Sequence, residues 1–334
     1  MSRSLDPDTA TIIQADSSEQ VYADIVKALS FSELLEIEIL GKSHPMPPEC
    51  NVLVDGNSIA FSKGKLVQAF VIARKIFFRC LKGTQDENQQ EIRDATAVIL
   101  LLDPEHLTAA NARKRIIQKY QKKQVGRLED ILRLEMIWVN SMLTSRLHRH
   151  TKSPTLWGHR RWVLEICRSI EMPRDTQKDL STVVLVAAER HPRNYYAWLH
   201  MRWLLQKSNP IGLDYSKLIS TVLDWCLRHP YDTSGFSFLL FCLSHLPEGD
   251  QSRIDANIAT CRDVLGLAVS FQWTHESVWV FLRTLIASGE VSEDQKNTFF
   301  SSIETLLGAQ SENTKAQTIL QSARDWCLEN ERAP

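Results

Sequence analysis

Glycine and proline are scarce in this chain of 334 residues, with 12 of each. So few turn formers exclude a collagen-like chain and argue against a loop-rich sheet architecture. No apolar run approaches the ~18–20 residues that a membrane-crossing helix needs. The longest, Ala97 to Leu102 and Val183 to Ala188, are much too short. The stretch from Met1 to Gln20 has no apolar segment behind a basic start, so no signal peptide is expected there. Neither charge is in excess. With 39 Lys and Arg against 40 Asp and Glu, the net charge is −1, and the whole-protein electrostatic footprint of a nucleic-acid binder is missing. The seven cysteines are scattered and form no CxxC pair, which reads as reduced thiols in a cytoplasmic or nuclear compartment. HExxH, a spaced Cys/His quartet, GxxxxGKS and GxSxG are absent. Taken alone, the chain offers no zinc set, phosphate loop or serine nucleophile.

What remains is ordinary globular composition, 43% hydrophobic and 24% charged, arranged with a helical period. Leu128, Ile131, Leu132, Leu134, Ile137 and Trp138 recur three and four apart, the stripe of an amphipathic helix. Similar stripes run from about Val21 to Leu40, Leu66 to Leu81, Asp175 to Arg190, Tyr215 to Arg228, Ile254 to Ala268, Glu293 to Leu307 and Thr314 to Leu328. One stretch, Val52 to Phe61, could form a hairpin, because Asp55-Gly56 is a good tight-turn dipeptide. The acidic start, Asp6 to Glu49, reads as a leader followed by one helix. The expected class is all-α.

Internal repeats decide the expected architecture. In HPRNYYAWLHMRW, Pro192, Asn194 and Tyr195 precede an aromatic anchor at Trp198, and His200, Arg202 and Trp203 follow it. The frame recurs at Trp157, with Ser153 before it and His159, Arg160, Arg161 and Trp162 after it. Pro230 and Asp232 lead to an anchor at Phe236, and His275 and Glu276 lead to Trp279 and Arg283. A degenerate first copy runs from Pro104 through Ala110, in the anchor place, to Arg113. The anchors stand 47, 41, 38 and 43 residues apart, the length of two helices and two turns. Proline stops the preceding helix, and Ser, Asn or Asp four before the anchor is a natural N-cap. Each anchor ring buries ~150–250 Å², an upper bound of about 4–6 kcal/mol at the usual transfer coefficient. The tryptophans therefore read as stacking core. This divides the chain into an N-terminal helical segment over 1–85, a repeat array over 86–290 and capping helices over 291–334.

These residues resemble the protein prenyltransferase α-subunit repeat, Pro-x-Asn-Tyr-x-x-Trp-x-x-Arg followed by an apolar helix. The Trp198 copy matches through Pro192, Asn194, Tyr195 and Trp198, but its arginine falls one place late, at Arg202, with Met201 in the slot. The Trp157 copy has Arg160 in place and Pro154 where the tyrosine belongs, and the Phe236 copy has Leu239 for the arginine. The divergent copies HPYDTSGF and LLLDPEHLTAANARK look most like the repeat-containing branch associated with type III geranylgeranyltransferase. The resemblance implies a right-handed α-α superhelix of helical hairpins wrapped around a separate β subunit. That subunit would hold the zinc, the thiolate substrate and most of the isoprenoid tunnel; this chain would bind no cofactor. It implies transfer of an isoprenoid, from its diphosphate, to a cysteine near the C-terminus of a trafficking protein such as a SNARE or small GTPase. In the family the α subunit lends a lysine and tyrosines to the diphosphate rim. The lysine position, five before the anchor, is Lys152, and the tyrosine position, three before the next anchor, is Tyr195. The four C-terminal residues, Glu331 to Pro334, hold no cysteine, so the chain is not expected to be prenylated there.

Without the resemblance, Lys152 reads as a solvated turn lysine and Tyr195 as a packed turn tyrosine. Arg113, Lys114, Arg115, Lys119, Lys122, Lys123 and Arg127 form a basic run, followed by Arg146, His148, Arg149, His150 and Lys152. That run is either a solvated face or a positive rim toward an acidic partner or the diphosphate. Nucleic acid is disfavoured, because only Tyr120 interrupts the basic run. His159, His200 and the His275-Glu276 pair read as structural. A helical-repeat scaffold that binds proteins without catalysis is the rival reading.

Overall fold

The computed structural model describes residues 18–330 apart from 31, 42, 43, 45, 48, 83–87, 124–125, 209–213, 247–250 and 310–313. The readings made of the first 17 and last four residues lie outside the described part. The chain divides into two compact units between His200 and Met201.

The first unit holds α1 (Ser18–Leu29), β1 (Glu36–Leu40), β2 (Leu53–Asp55), β3 (Ser58–Ser62), α2 (Lys63–Lys82), α3 (Gln89–Leu102), α4 (Leu107–Lys123) and α5 (Leu128–Leu143). The short α6 (His148–Thr151) leads to α7 (Pro154–Ser169), then α8 (Thr176–Asp179), a π-helical turn over Leu180–Val184, and α9 (Leu185–Arg190). α10 spans Tyr195–Ser208. Helices α1, α2 and α3 pack on one another, and α7 packs on both α4 and α5. The second unit holds α11 (Tyr215–Arg228), α12 (Thr233–Ser244), α13 (Gln251–Ser270), α14 (Glu276–Ala287), α15 (Glu293–Gly308) and α16 (Lys315–Asn330). Here α11, α13 and α15 stack in one layer and α12, α14 and α16 in another, the two-layer arrangement of stacked helical hairpins. The all-α class holds, and among the described residues no helix is long and apolar enough to cross a membrane.

Local chemistry sets the boundaries. Ser153 caps α7, accepting from the Leu156 amide at 3.0 Å, and Pro154 opens the helix where its missing N–H costs nothing. Asp175, Asp214 and Asp232 cap α8, α11 and α12 in the same way. Ser292 and Gln295 form a reciprocal capping box at α15.

One helix expectation is overturned. The stripe read from Val21 to Leu40 breaks after Leu29, and Glu36–Leu40 is a strand. Glu36-Ile37-Glu38-Ile39 alternates with period two, which sends Ile37 to complete burial while Glu38 stays exposed. β1 pairs with β3 in parallel, and β2 pairs with β3 antiparallel. The β2–β3 hairpin matches the expectation for Val52 to Phe61, but its loop is Gly56-Asn57, one residue later than the Asp55-Gly56 dipeptide suggests, since Asp55 pairs with Ser58. Gly56 has φ +54°, at the first central position where this kind of loop selects glycine. The sheet is tied to the helices: the Leu35 amide donates to Ser141 Oγ at 2.9 Å, and the Glu36 carboxylate receives Arg190 at 2.7 Å and Arg146 at 3.1 Å.

Candidate functional site

Every anchor ring is buried. Trp157, Trp198, Phe236 and Trp279 expose 2% or less of their surface, and Ala110 fills the first anchor place, also buried. The indole N–H of Trp157 donates to the carbonyl of Thr151 at 2.9 Å, and that of Trp279 donates to Trp273 O at 2.8 Å. Both bonds reach six residues back, so Trp157 and Trp279 each pin the turn that introduces their own helix.

The turns are then stitched to each other. Ser153 Oγ donates to Pro104 O at 3.2 Å, and Asn194 Nδ2 donates to Thr151 O at 2.7 Å and to Ala187 O at 3.2 Å. Asn194 Oδ1 meanwhile caps α10 through the Ala197 amide. In the second unit Ser277 Oγ donates to Pro230 O. Lys152 follows Thr151 and Tyr195 follows Asn194, so the Asn194–Thr151 bond brings the turns of these two residues side by side. Lys152 is exposed, and so is Tyr195 at 59%. His191, in the same turn region, has its pKa lowered by burial and further by the charges of Lys152 and His148. The His148 and His191 rings stand 4.1 Å apart. These neighbouring turns thus expose an ammonium at Lys152 and a phenol at Tyr195.

A buried polar ladder joins helices of the first unit. Arg113, three past Ala110, forks onto Glu135 with bonds of 2.7 and 2.8 Å, and its third nitrogen donates to Arg93 O and Thr96 Oγ1. Its guanidinium also lies 3.7 Å from the centre of the Trp138 ring. His159, two past the next anchor, donates through Nε2 to the same Glu135 at 2.7 Å. Burial alone would raise the Glu135 pKa, but Arg113 and His159 hold it well below the ordinary carboxylate range. The next rung repeats the pattern. Arg160 is fully buried, donating to Asn140 Oδ1 at 2.8 Å, to Asp179 at 2.6 Å and to Nε2 of His200. Asp179 is held from the other side by Arg174, and the two arginines keep its carboxyl low despite burial. Burial and the cluster of arginines keep His200 neutral, well below its usual pKa.

In the second unit the corresponding positions are apolar. The positions three past the anchors are Met201, Leu239 and Leu282, each fully buried. The displaced Arg202 lies across the surface, donating to Ser237 O at 2.6 Å and sitting 5.0 Å from the Phe241 ring.

The basic run does not form one face. Arg113 is buried in the ladder, contrary to either reading of the run, because its carboxylate partner is 22 residues away on α5. His150 is likewise buried, bonding Leu100 O at 3.0 Å. Arg146 and Arg149 are exposed and pair with Glu36 and Asp103. Lys114 sits over the Trp162 ring, while Arg115, Lys122 and Arg127 are exposed. His159 and His200 are structural, as expected. His275 is an exposed N-cap position that makes no side-chain cap bond. Glu135 and Asp179 escape a reading of the sequence. Glu135 has one legible sign, a carboxylate inside the apolar stripe of α5; Asp179 has none. Among the described residues, no three His, Cys, Asp or Glu side chains converge as metal ligands.

A family model described as the ECM9 middle domain matches residues 156–265. The chain is 31% identical over 212 residues to the human protein prenyltransferase alpha subunit repeat-containing protein 1, a match covering 58% of this chain and 49% of that protein. It is 37% identical over 78 residues to protein prenyltransferase alpha subunit repeat-containing protein 1-B of Xenopus laevis, covering 23% of this chain and 15% of the relative. The chain thus spans about half the length of the human relative. Among solved structures, Candida albicans protein geranylgeranyltransferase-I complexed with GGPP aligns with a TM-score of 0.45 at 17% identity, over 89% of this chain and 98% of that chain. The sequence similarity is to prenyltransferase α-subunit-like proteins, the family whose repeat this chain resembles.

Proposed function

We propose that this chain is the α-type subunit of a heterodimeric protein prenyltransferase, one that transfers a geranylgeranyl group to C-terminal cysteines of trafficking proteins such as SNAREs or small GTPases. A single observation carries the reading. Lys152 and Tyr195 stand exposed on adjacent turns clasped by the Asn194–Thr151 bond, in the two places where α subunits of the family serve the diphosphate. A zinc-bearing β subunit would hold the thiolate of the protein substrate and form the isoprenoid tunnel. The thiolate sulfur attacks the first carbon of the isoprenoid diphosphate, the thioether bond forms, and the carbon–oxygen bond breaks to release diphosphate. This chain's part is at the leaving group: Lys152 offers a compact cation to the developing charge, and the Tyr195 phenol donates a hydrogen bond.

The test is to co-express the chain with prenyltransferase β subunits and to measure labelled geranylgeranyl transfer. The expected result is a stable pair whose Lys152→Ala variant still assembles but transfers roughly 10²-fold more slowly, as for loss of one preorganised charge donor. No stable pair and no transfer with any β subunit would reject the proposal. The second reading, a protein-binding scaffold, is favoured by Met201, Leu239 and Leu282 in the arginine places and by Pro154 in a tyrosine place. Partner capture without transfer, unaffected by Lys152→Ala, would support it.

A further inference from the structure

The α2 helix presents an unusual outward face. Its sequence, from Lys63 to Lys82, holds six cations and no acidic residue. One side of the helix, with Leu66, Ala69, Ala73, Phe77 and Cys80, is buried against α1 and α3. On the opposite side Phe78 is 43% exposed, and Val67 and Val71, which share its stripe at helical spacing, are half-buried. Exposed cations flank that stripe: Arg74, whose guanidinium lies 5.6 Å from the Phe78 ring, with Lys75, Arg79 and Lys82. Arg79 pairs with Glu91 of α3 at 2.7 Å; Arg74, Lys75 and Lys82 make no ion pair among the described residues. An apolar stripe bracketed by Lys and Arg on an outward helix face is the pattern of a helix that lies in a membrane interface. The cations meet anionic headgroups, the aromatic ring enters the acyl boundary, and a fluid bilayer needs no groove to fit.

We propose that the outward face of α2 docks this protein on anionic lipid membranes, with Phe78 as the inserted group. The inference does not rest on the prenyl-transfer reading. It is tested by co-sedimenting the full chain with phosphatidylcholine vesicles, with and without phosphatidylserine. Binding is expected only to the phosphatidylserine vesicles and is expected to weaken with salt. The Lys75→Glu/Lys82→Glu variant should bind more than tenfold more weakly, since each cation near such a surface contributes about fivefold. Phe78→Ser, with every charge intact, should also lose several-fold. Lys75 and Lys82 are exposed, so the charge variant should melt like the native chain; Phe78 also touches the buried Phe77 ring, so Phe78→Ser is assayed below its own melting temperature. Equal binding to both vesicle types would overturn the proposal. So would an unchanged Phe78→Ser variant, and so would capture of a polyglutamate peptide with no vesicle binding, which would make the face a site for acidic proteins.

Discussion

Asn194 Nδ2 donates to the carbonyl oxygen of Thr151 at 2.7 Å, a bond that spans 43 residues of sequence and holds two successive turns edge to edge. The same side chain caps α10 through Oδ1 and satisfies Ala187 O through Nδ2. Asn194→Ala removes all three roles at a buried position. A lost cap costs about 1 kcal/mol, and each of the two lost hydrogen bonds about 0.5–1.5 kcal/mol, since Thr151 O keeps the Trp157 indole and Ala187 O keeps the His191 amide. Denaturant unfolding should register a loss of roughly 2–4 kcal/mol. Asn194→Asp keeps the cap oxygen but turns a carboxylate toward two carbonyls, so it should be worse than alanine. An aspartate variant as stable as the native chain would show that the donor half of the amide is idle.

The Arg113–Glu135–His159 rung makes a different prediction. Its ions are fully desolvated, so Arg113→Met leaves Glu135 with only His159 and should cost about 3–5 kcal/mol. Arg113→Met/Glu135→Leu removes both charges, and most of that loss should return, less the penalty for leaving His159 without its acceptor. The apolar residues Met201, Leu239 and Leu282 demonstrate that this protein already packs such positions without charge. A full double-mutant cycle measures the coupling. Additive losses would mean that Arg113 and Glu135 act independently.

The repeat frame is legible in the sequence because its determinants are local. Proline, cap and indole sit within a few residues of each other, and each acts on its own turn, as Ser153 and Trp157 do. Helix ends such as Tyr215–Arg228 follow from periodicity and capping for the same reason. The strand at Glu36–Leu40 is hidden because the alternation Glu-Ile-Glu-Ile is short and adjoins a genuine helical stripe at Val21 to Ala28. The ladder is illegible for a physical reason: a carboxylate's partner is chosen by the fold, not by spacing. Arg113 looks like one more cation in a basic run until Glu135 arrives from the neighbouring helix. The sequence names Lys152 and Tyr195 as candidates, but the amide clasp that sets their turns side by side emerges only from the packing.

Gly235 is a packing requirement. A Cβ placed there would stand 2.6 Å from Cζ3 of Trp225 and 3.1 Å from its Cε3. Trp225 cannot easily yield, because it is buried and stacked on His229 with ring centres 4.1 Å apart. Gly235→Ala should therefore destabilise the second unit by about 1–3 kcal/mol, although alanine is the better helix former. Thermal melting checks this, and Gly235→Ala/Trp225→Phe should relieve part of the loss. A stabilised single variant would mean that helix propensity outweighs the clash.

Acid should weaken the fold in two stages. His150, His159 and His200 are buried with pKa values lowered chiefly by desolvation, that of His150 to about 4. The unfolded chain, with histidines near ~6.5, then takes up protons before the folded chain does. Their contribution is whole above about pH 6.5 and is lost as pH falls toward the folded values. Glu135 and Asp179, also lowered, stabilise above the ordinary carboxylate range and lose that effect only at lower pH. Stability should thus decline from neutrality downward, the histidines acting first. For His150 alone the difference between pH 7 and pH 4 is about 3 kcal/mol, at ~1.4 kcal/mol for each tenfold difference in proton affinity between the folded and unfolded chain. His150→Gln retains a donor for Leu100 O without a titrating ring, so its unfolding free energy should fall by about that much less over the same interval. Stability that instead rises as pH drops through 6 would require these rings to be charged in the folded protein, and the ladder of neutral imidazoles would have to be abandoned.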